Sequence, residues 1–351
     1  MKVLNLAIVG QGRSGRDIHG AYLRTASEHF KIVAVADLLE DRRKRAVEEF
    51  GCEAVADYHE LMARDDLDLI VNSTPSHLHV PVTREFLDAG FNVLCEKPLA
   101  HRAAEVDDLV AAAERSGKVL AIFQQSRYTP IFLKVQEIIA SGVLGRIVQI
   151  NMAWNHFGRR WDWQTLQKFN GGSLLNTGPH PLDQALQLFG EGMPEVCCRM
   201  DRANTYGDAE DHVKLMLGGE GHPTIDLEIS SCCPYGPGSY AIYGTQGGMR
   251  AAGKGLEWKY FKPEEAPQQH LIEVPLCKPD GQPAYCGEEL IWYTESWTPE
   301  DSPAGLPPTG RLYQMVYNTL TTGAPLEVTP AQVRRQIAVI EECQRQNPAI
   351  Y

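Results

Sequence analysis

An apolar run, Leu4 to Val9, ends directly in Gly10-Gln11-Gly12-Arg13-Ser14-Gly15 and continues into a helical pattern, and this limits the chain more than any other feature. Strand, glycine turn and helix in that order make a dinucleotide fold. Gly10 permits the tight turn, Gly12 lets backbone amides approach a pyrophosphate, and Gly15 lets helix and strand pack closely. Arg13 and Ser14 lie where the helix begins, and its N-terminal amides supply partial positive charge for phosphate. A six-residue glycine pattern alone is weak evidence. Asp37 strengthens it: this acid ends a second apolar run, Ile32 to Ala36, about 20 residues past the last glycine, where a carboxylate accepts hydrogen bonds from adenosine ribose hydroxyls. The same acid repels a 2′-phosphate, which favours NAD, although Arg42 and Arg43 stand close enough in sequence to accommodate NADP.

From the start to about Gln124, short apolar runs alternate with helical patterns, which is parallel α/β logic. The spacing predicts strands at Leu4 to Val9, Ile32 to Ala36, Glu53 to Ala56 (the weakest), Leu69 to Ser73, Asn92 to Cys95 and Val119 to Phe123. Several lack alternation, as strands covered on both faces do. A helix is expected over Ala103 to Ser116, stopped by Gly117. Beyond Gln124 the rhythm changes to a helix at Ile131 to Ser141 and a strand at Ile147 to Trp154. Alternation then predicts strands at Val213 to Leu217, Thr224 to Ser230, Tyr240 to Tyr243 and Leu256 to Phe261. Residues Lys262 to Pro308 read as an elaborated loop region, and a last helix runs from the cap Thr329 to about Arg345. The expected fold class is α/β: an N-terminal Rossmann dinucleotide-binding domain over residues 1–124 and a C-terminal α+β domain with a mostly antiparallel open sheet over residues 125–351.

The formal net charge of -12 opposes a nucleic-acid or anionic-membrane partner. The basic run Arg42-Arg43-Lys44-Arg45 is too short to overcome that field and reads as the solvated start of a helix. Nine cysteines include the neighbours Cys197/Cys198 and Cys232/Cys233, with no C-x-x-C or zinc spacing, so buried reduced thiols are expected. No apolar run approaches the roughly 20 residues that span a bilayer, and a cytoplasmic location is expected.

Three further segments carry a family resemblance. They are Ser73-Thr74-Pro75-Ser76-His77-Leu78-His79, Cys95-Glu96-Lys97-Pro98, and Gly171-Gly172-Ser173-Leu174-Leu175-Asn176-Thr177-Gly178-Pro179-His180-Pro181-Leu182-Asp183. Together with the glycine turn, in this order, they resemble the glucose-fructose oxidoreductase, inositol dehydrogenase and rhizopine-catabolism family over almost the whole chain. The resemblance implies a nicotinamide-side loop at Ser73, Thr74, Pro75 and His79, and Glu96 and Lys97 at the cofactor. It also implies that Lys97 hydrogen-bonds the reacting oxygen and that His180 is the general base. The chemistry fits independently: oxidising a secondary alcohol removes its O–H proton, a histidine titrates near working pH, and a cationic lysine stabilises developing alkoxide charge. One departure stands out. Asn176 occupies a position where the family usually carries aspartate; a neutral amide can orient the histidine or bind a hydroxyl but offers no charge. Asp183, one helical turn past His180, is the candidate substitute.

The substrate pocket is expected in Asn155-His156-Phe157-Gly158-Arg159-Arg160-Trp161-Asp162-Trp163, where aromatic faces and hydrogen-bonding groups suit a sugar; packing against the sheet or another subunit is the alternative. Within it His156, Arg160 and Trp163 are substrate candidates, together with Arg127 and Tyr128, Asn176 and His180. Trp292, Tyr293, Glu295 and Trp297 form a second aromatic group, an interface or lid. His77 and His79 lack a third ligand, so no metal is expected. The favoured function is an NAD-dependent dehydrogenase of a sugar, sugar derivative, glycoside or cyclic polyol. The alternatives are a glycoside-cleaving enzyme that oxidises transiently, eliminates and re-reduces, and a non-catalytic cofactor sensor. The resemblance implies a homo-oligomer, dimer or tetramer, paired through the second domain.

Overall fold

Six short runs of β-branched and aliphatic residues lie side by side as one parallel sheet: β1 (Leu4–Val9), β2 (Phe30–Ala36), β3 (Glu53–Val55), β4 (Leu69–Asn72), β5 (Val93–Cys95) and β6 (Leu120–Ile122), in the order β3-β2-β1-β4-β5-β6. The computed structural model in which this is seen describes residues 2–302 and 305–351. Every residue of β4, β5 and β6 is buried, which explains runs without alternation. Helices cover the sheet: α1 (Ser14–Gly20, wound in π fashion and continuing through Ala21–Leu23), α2 (Glu40–Phe50), α3 (His79–Asp88) and α4 (Ala103–Ser116). Gly117 ends α4 at φ 63°, the left-handed cap expected of it. Strand order reverses between β1 and β4, so a crevice opens beyond the carboxyl ends of these two strands.

The second sheet has eight strands: β7 (Ile147–Asn155), β8 (Glu195–Asp201), β9 (His212–Gly218), β10 (Thr224–Ser230), β11 (Tyr240–Gly244), β12 (Gly247–Ala252), β13 (Gly255–Tyr260) and β14 (Tyr293–Trp297). Their order is β14-β13-β12-β11-β7-β10-β9-β8, and every neighbouring pair is antiparallel except β7 with β10. Alternation decides the two faces. Val213, Leu215 and Leu217 with Ile225, Leu227 and Ile229 are buried on one side, whereas Lys214 pairs with Asp226 and Glu228 on the other. Helices α5 (Pro130–Ala140), α6 (Ser173–Asn176) and α7 (Pro179–Phe189) belong to this half of the chain, and α7 packs on β10.

Two final helices return to the first sheet. In α8 (Pro308–Thr322), Tyr313 is fully buried between Tyr22 and Phe30. Burying a ring of this size stabilises by roughly 2–3 kcal/mol. In α9 (Pro330–Arg345), capped by Thr329 as its sequence predicts, Arg334 pairs with Asp107 of α4.

The structure corrects several expectations. Inside the region expected to be loop, Tyr293 to Trp297 is a strand. Its burial does not alternate because it lies at the sheet edge, so it carried no periodic signal. Tyr293 and Glu295 therefore belong to a sheet edge. The strands β8 and β12 and the helix α8 had no sequence assignment. All nine cysteines are free, as expected, but Cys197, Cys277 and Cys286 are exposed. The basic run does start a helix, α2, without being idle: Arg43 donates to the Asp37 and Leu38 carbonyls at 2.7 and 2.9 Å and Arg45 to the Gln11 carbonyl at 3.0 Å. Among the described residues no helix is long and apolar enough to cross a membrane.

Candidate active site

A cleft of about 530 Å³ lies at the carboxyl ends of β1 and β4. Gly10, Gly12, Arg13, Ser14 and Asp37 line one end, and Glu96, Lys97, Trp163 and Asn176 the other. The three glycines stand in different surroundings. Gly10 sits at φ 93°, and a Cβ there would lie 2.6 Å from the Ser73 carbonyl oxygen. At Gly15 a side chain would overlap the Gly10 carbonyl. Gly12, by contrast, meets only Arg42 Nη1 at 3.7 Å, so its open side faces the cleft. Asp37 accepts from the Gln11 and Leu39 amides at 2.7 and 2.8 Å, and Arg42 Nη1 stands 3.4 Å away. These donors hold the carboxylate at the rim while leaving lone pairs for a ribose. Open amides, a helix start and a fixed acid fit a dinucleotide.

The loops after β4 and β5 tie the far end together. Ser73 Oγ donates to the Gly10 carbonyl at 2.8 Å, and Thr74 Oγ1 to Asn72 Oδ1 at 2.7 Å. Pro75 lines the cleft beside them. His79 is buried, its ring nitrogens 2.7 Å from the Pro98 carbonyl and 2.9 Å from that of Thr74, so it bridges the two loops; burial pushes its pKa down. Glu96 also lines the cleft, yet both oxygens are engaged, one by His19 and one by the Lys97 amide. Lys97 Nζ donates to the Asn176 carbonyl at 2.8 Å, joining the two halves of the chain. An ammonium has three donors, so two remain for a substrate oxygen.

His180, on α7, is not among the residues that line this cleft, although the charges of Lys97 and Glu96 act on it. Burial and then the Lys97 charge push its pKa down to about 3, against the pull of Glu96, so it is an unprotonated acceptor at neutral pH. Ser126 lies 3.1 Å from its Nδ1, and among the described residues Nε2 has no hydrogen-bond partner. Trp154 on β7 is tilted against the His180 ring, centroids 6.0 Å apart. Asn176 does not orient the histidine; its Oδ1 accepts from Gln164 Nε2 at 3.1 Å, and Gln164 is held in turn by Arg160. Arg160 also pairs with Asp162, so it reaches the cleft only through Gln164. Trp163 forms part of the wall, while exposed His156 does not line it. Gln164 lines the cleft, and Ser126 and Trp154 contact His180, although nothing in the sequence marked them.

Two expectations fail here. Arg127 is buried and its guanidinium is consumed by Asp183, at 2.5 and 3.0 Å, by the Glu327 carbonyl and by Gln332. Tyr128 is buried and donates to Glu327 at 2.8 Å. Neither is available to a substrate; both join the turn after β6 to the segment before α9. Asp183 is likewise spent on Arg127 and does not stand in for the family's aspartate.

The glycine-rich entry to α6 wraps a buried acid, Glu210. Its Oε1 accepts from the Leu174 amide at 2.7 Å, its Oε2 from the Tyr351 hydroxyl, and Gly172, at φ 107°, has no room for a Cβ beside it. Burial raises the Glu210 pKa to about 7, against the Tyr351 and Leu174 hydrogen bonds. A carboxyl whose pKa is higher in the fold than in the unfolded chain stabilises at low pH, and that stability is lost as pH rises toward about 7. Glu210→Gln is therefore expected to melt higher than the parent near pH 8, by up to about 3 kcal/mol of stability, and close to it near pH 5. Thermal melts at both pH values check this.

Comparison with known proteins identifies the family. Residues 4–124 match the model of an oxidoreductase family's NAD-binding Rossmann fold, and residues 132–250 match the GFO/IDH/MocA C-terminal domain. An uncharacterised oxidoreductase of Schizosaccharomyces pombe is 30% identical over 320 residues, covering 88% of this chain and 83% of that protein. A scyllo-inositol 2-dehydrogenase (NADP(+)) of Bacillus subtilis is 28% identical over 196 residues, 55% of this chain and 53% of its own. An NAD-binding protein from Listeria innocua superposes with a TM-score of 0.82 over 99% of this chain and 97% of that one, at 22% identity, which speaks to the fold alone. On the strength of both family models and the near full-length likeness to the yeast protein, the chain belongs to the glucose-fructose oxidoreductase, inositol dehydrogenase and rhizopine-catabolism (Gfo/Idh/MocA) family of oxidoreductases.

Proposed function

We propose that this protein oxidises a secondary alcohol of a sugar, sugar derivative or cyclic polyol with NAD. The observation that carries the reading is the Lys97 ammonium at one end of the cleft, tied by a hydrogen bond to the segment that leads into His180, an unprotonated ring whose Nε2 has no partner among the described residues. When bound, the nicotinamide supplies a two-electron hydride acceptor. Lys97 hydrogen-bonds the alcohol oxygen and stabilises its developing negative charge. His180 Nε2 takes the hydroxyl proton, which requires the tautomer in which Nδ1–H donates to Ser126. Trp163 offers a face for a ring's C–H edges, and the Asn176 amide and Gln164 offer hydrogen bonds to its other hydroxyls. The inositol dehydrogenase relative supports the polyol class.

NAD is favoured because the Asp37 carboxylate at the cleft rim would repel a 2′-phosphate, while nearby Arg42 limits that preference. Asp37→Asn keeps the shape and removes the charge; losing a charge-assisted hydrogen bond predicts roughly tenfold weaker NAD binding and a smaller NAD-over-NADP ratio. Calorimetric titration with each cofactor reads the ratio, and an unchanged ratio removes the role. For the reaction, purified protein is incubated with NAD and a panel of sugars, inositols, sugar acids and glycosides, and NADH and product mass are followed together. Stoichiometric NADH and a product two hydrogens lighter are expected. Bond cleavage without NADH accumulation would replace this reading with transient oxidation and elimination, and no reaction across the panel would count against both.

A further inference from the structure

Three polar groups are enclosed in the apolar core next to the Lys97 turn. The Tyr313 hydroxyl lies 2.8 Å from His19 Nδ1, His19 Nε2 lies 3.2 Å from Glu96 Oε1, and Glu96 Oε2 accepts the Lys97 backbone N–H at 3.0 Å. His19 and Tyr313 have no solvent exposure and Glu96 has 4%. The surroundings are aromatic: Phe123 lies 4.3 Å from the His19 ring, and Phe30 and Tyr22 flank Tyr313. Polar groups in such a place cost several kcal/mol unless paired. One donor order satisfies all of them. Glu96 can only accept, so Nε2–H donates to it; Tyr313 has no other partner among the described residues, so its hydroxyl donates to Nδ1.

The row draws on three distant parts of the chain: α1, which starts at the glycine turn, the turn after β5, and α8. It ends one peptide from Lys97. Burial opposes the Glu96 charge, but the hydrogen bond from His19 and the nearby positive groups pull its pKa down to about 2. For Lys97, burial lowers the pKa and Glu96 raises it. The groups facing Lys97 are Glu96 in its own turn, Arg13 from the glycine turn, His79 from α3 and His180 from α7. Only Glu96 among them is negative.

We propose that His19 and Tyr313 are positioning residues for Lys97, acting through Glu96: their hydrogen bonds fix one carboxylate charge beside the lysine, which keeps its amine an ammonium ion held toward the reacting oxygen. This rests on the reading of Lys97 as the group that meets that oxygen. It assigns α8, none of whose residues lines the cleft, a task in the chemistry.

The test needs neither substrate nor turnover. Intact protein and the variants Tyr313→Phe, His19→Gln and Glu96→Gln are trace-labelled with acetic anhydride across a pH range, and acetylation of Lys97 is quantified by peptide mass spectrometry. Removing the carboxylate charge is expected to lower the half-labelling pH of Lys97 by about one unit or more in Glu96→Gln. Tyr313→Phe, which keeps the ring and its packing, is expected to move it the same way by less, with surface lysines such as Lys2 unmoved. A purely structural role would lower the melting temperature of the variants and leave that half-labelling pH alone. An unchanged Lys97 profile in Tyr313→Phe and Glu96→Gln proteins that still fold and bind NADH overturns the proposal. A shifted profile in a protein that oxidises nothing would support it and sink the proposed reaction instead.

Discussion

Lys97→Met is expected to lower turnover about 10²–10³-fold while NADH binding changes little, because methionine fills the same space without the charge that meets the reacting oxygen. The lysine is placed for this by a hydrogen bond to the Asn176 carbonyl, a contact that crosses from the Rossmann half to the second sheet's half. Loss of that bond also loosens the junction, so the variant's melting temperature should fall modestly. Steady-state kinetics on the substrate found by the panel, with NADH affinity measured separately, separates the two effects. A turnover within a few fold of the parent would remove Lys97 from the chemistry.

His180→Ala is expected to cost about 10²–10⁴ in turnover, the range for a lost acid–base group. The pH profile gives a sharper form of the same claim. A base works in its unprotonated form, so the rate falls as pH drops through its pKa. Because burial and Lys97 hold His180 near 3, kcat/KM of the parent should stay level from about pH 7 down to about pH 5, where an ordinary histidine would have lost most of its activity. A half-fall near pH 6.5 would mean that the cofactor or substrate restores the ring's ordinary pKa, or that another group is the base.

The cofactor half of the site was legible in the sequence because its constraints are backbone constraints. Gly10 needs a positive φ, Gly15 has no room for a side chain, and Asp37 must end its strand; each leaves a mark in residue type and spacing. The proposed catalytic pair, Lys97 and His180, was marked by short motifs. The supporting groups were not. Ser126 is one serine in a turn, and Gln164 one glutamine in a loop, yet each holds a catalytic-segment side chain through a contact more than ten residues away in sequence. Arg127 misled for the opposite reason: its position after β6 points toward the cleft, but three partners from far along the chain claim it. In the second sheet, strands with one buried face announced themselves by alternation, whereas β14, at the edge, and β12, with two glycines, did not. The helix α8 was missed although Leu312, Tyr313, Val316, Tyr317 and Leu320 recur at helical spacing between Pro308 and Gly323; what no local pattern records is the first-half aromatic cluster it covers, nearly 300 residues earlier.

The central claim is spatial: a dinucleotide seated on the glycine turn presents its nicotinamide to Lys97 and His180. Crystals grown with saturating NAD measure it directly. The account predicts pyrophosphate density at the amides of Gly12 to Ser14, adenosine ribose on Asp37, and the nicotinamide ring within contact of the Lys97 and His180 side chains. Crystals that hold the dinucleotide elsewhere, or with its nicotinamide turned away from that pair, would contradict it.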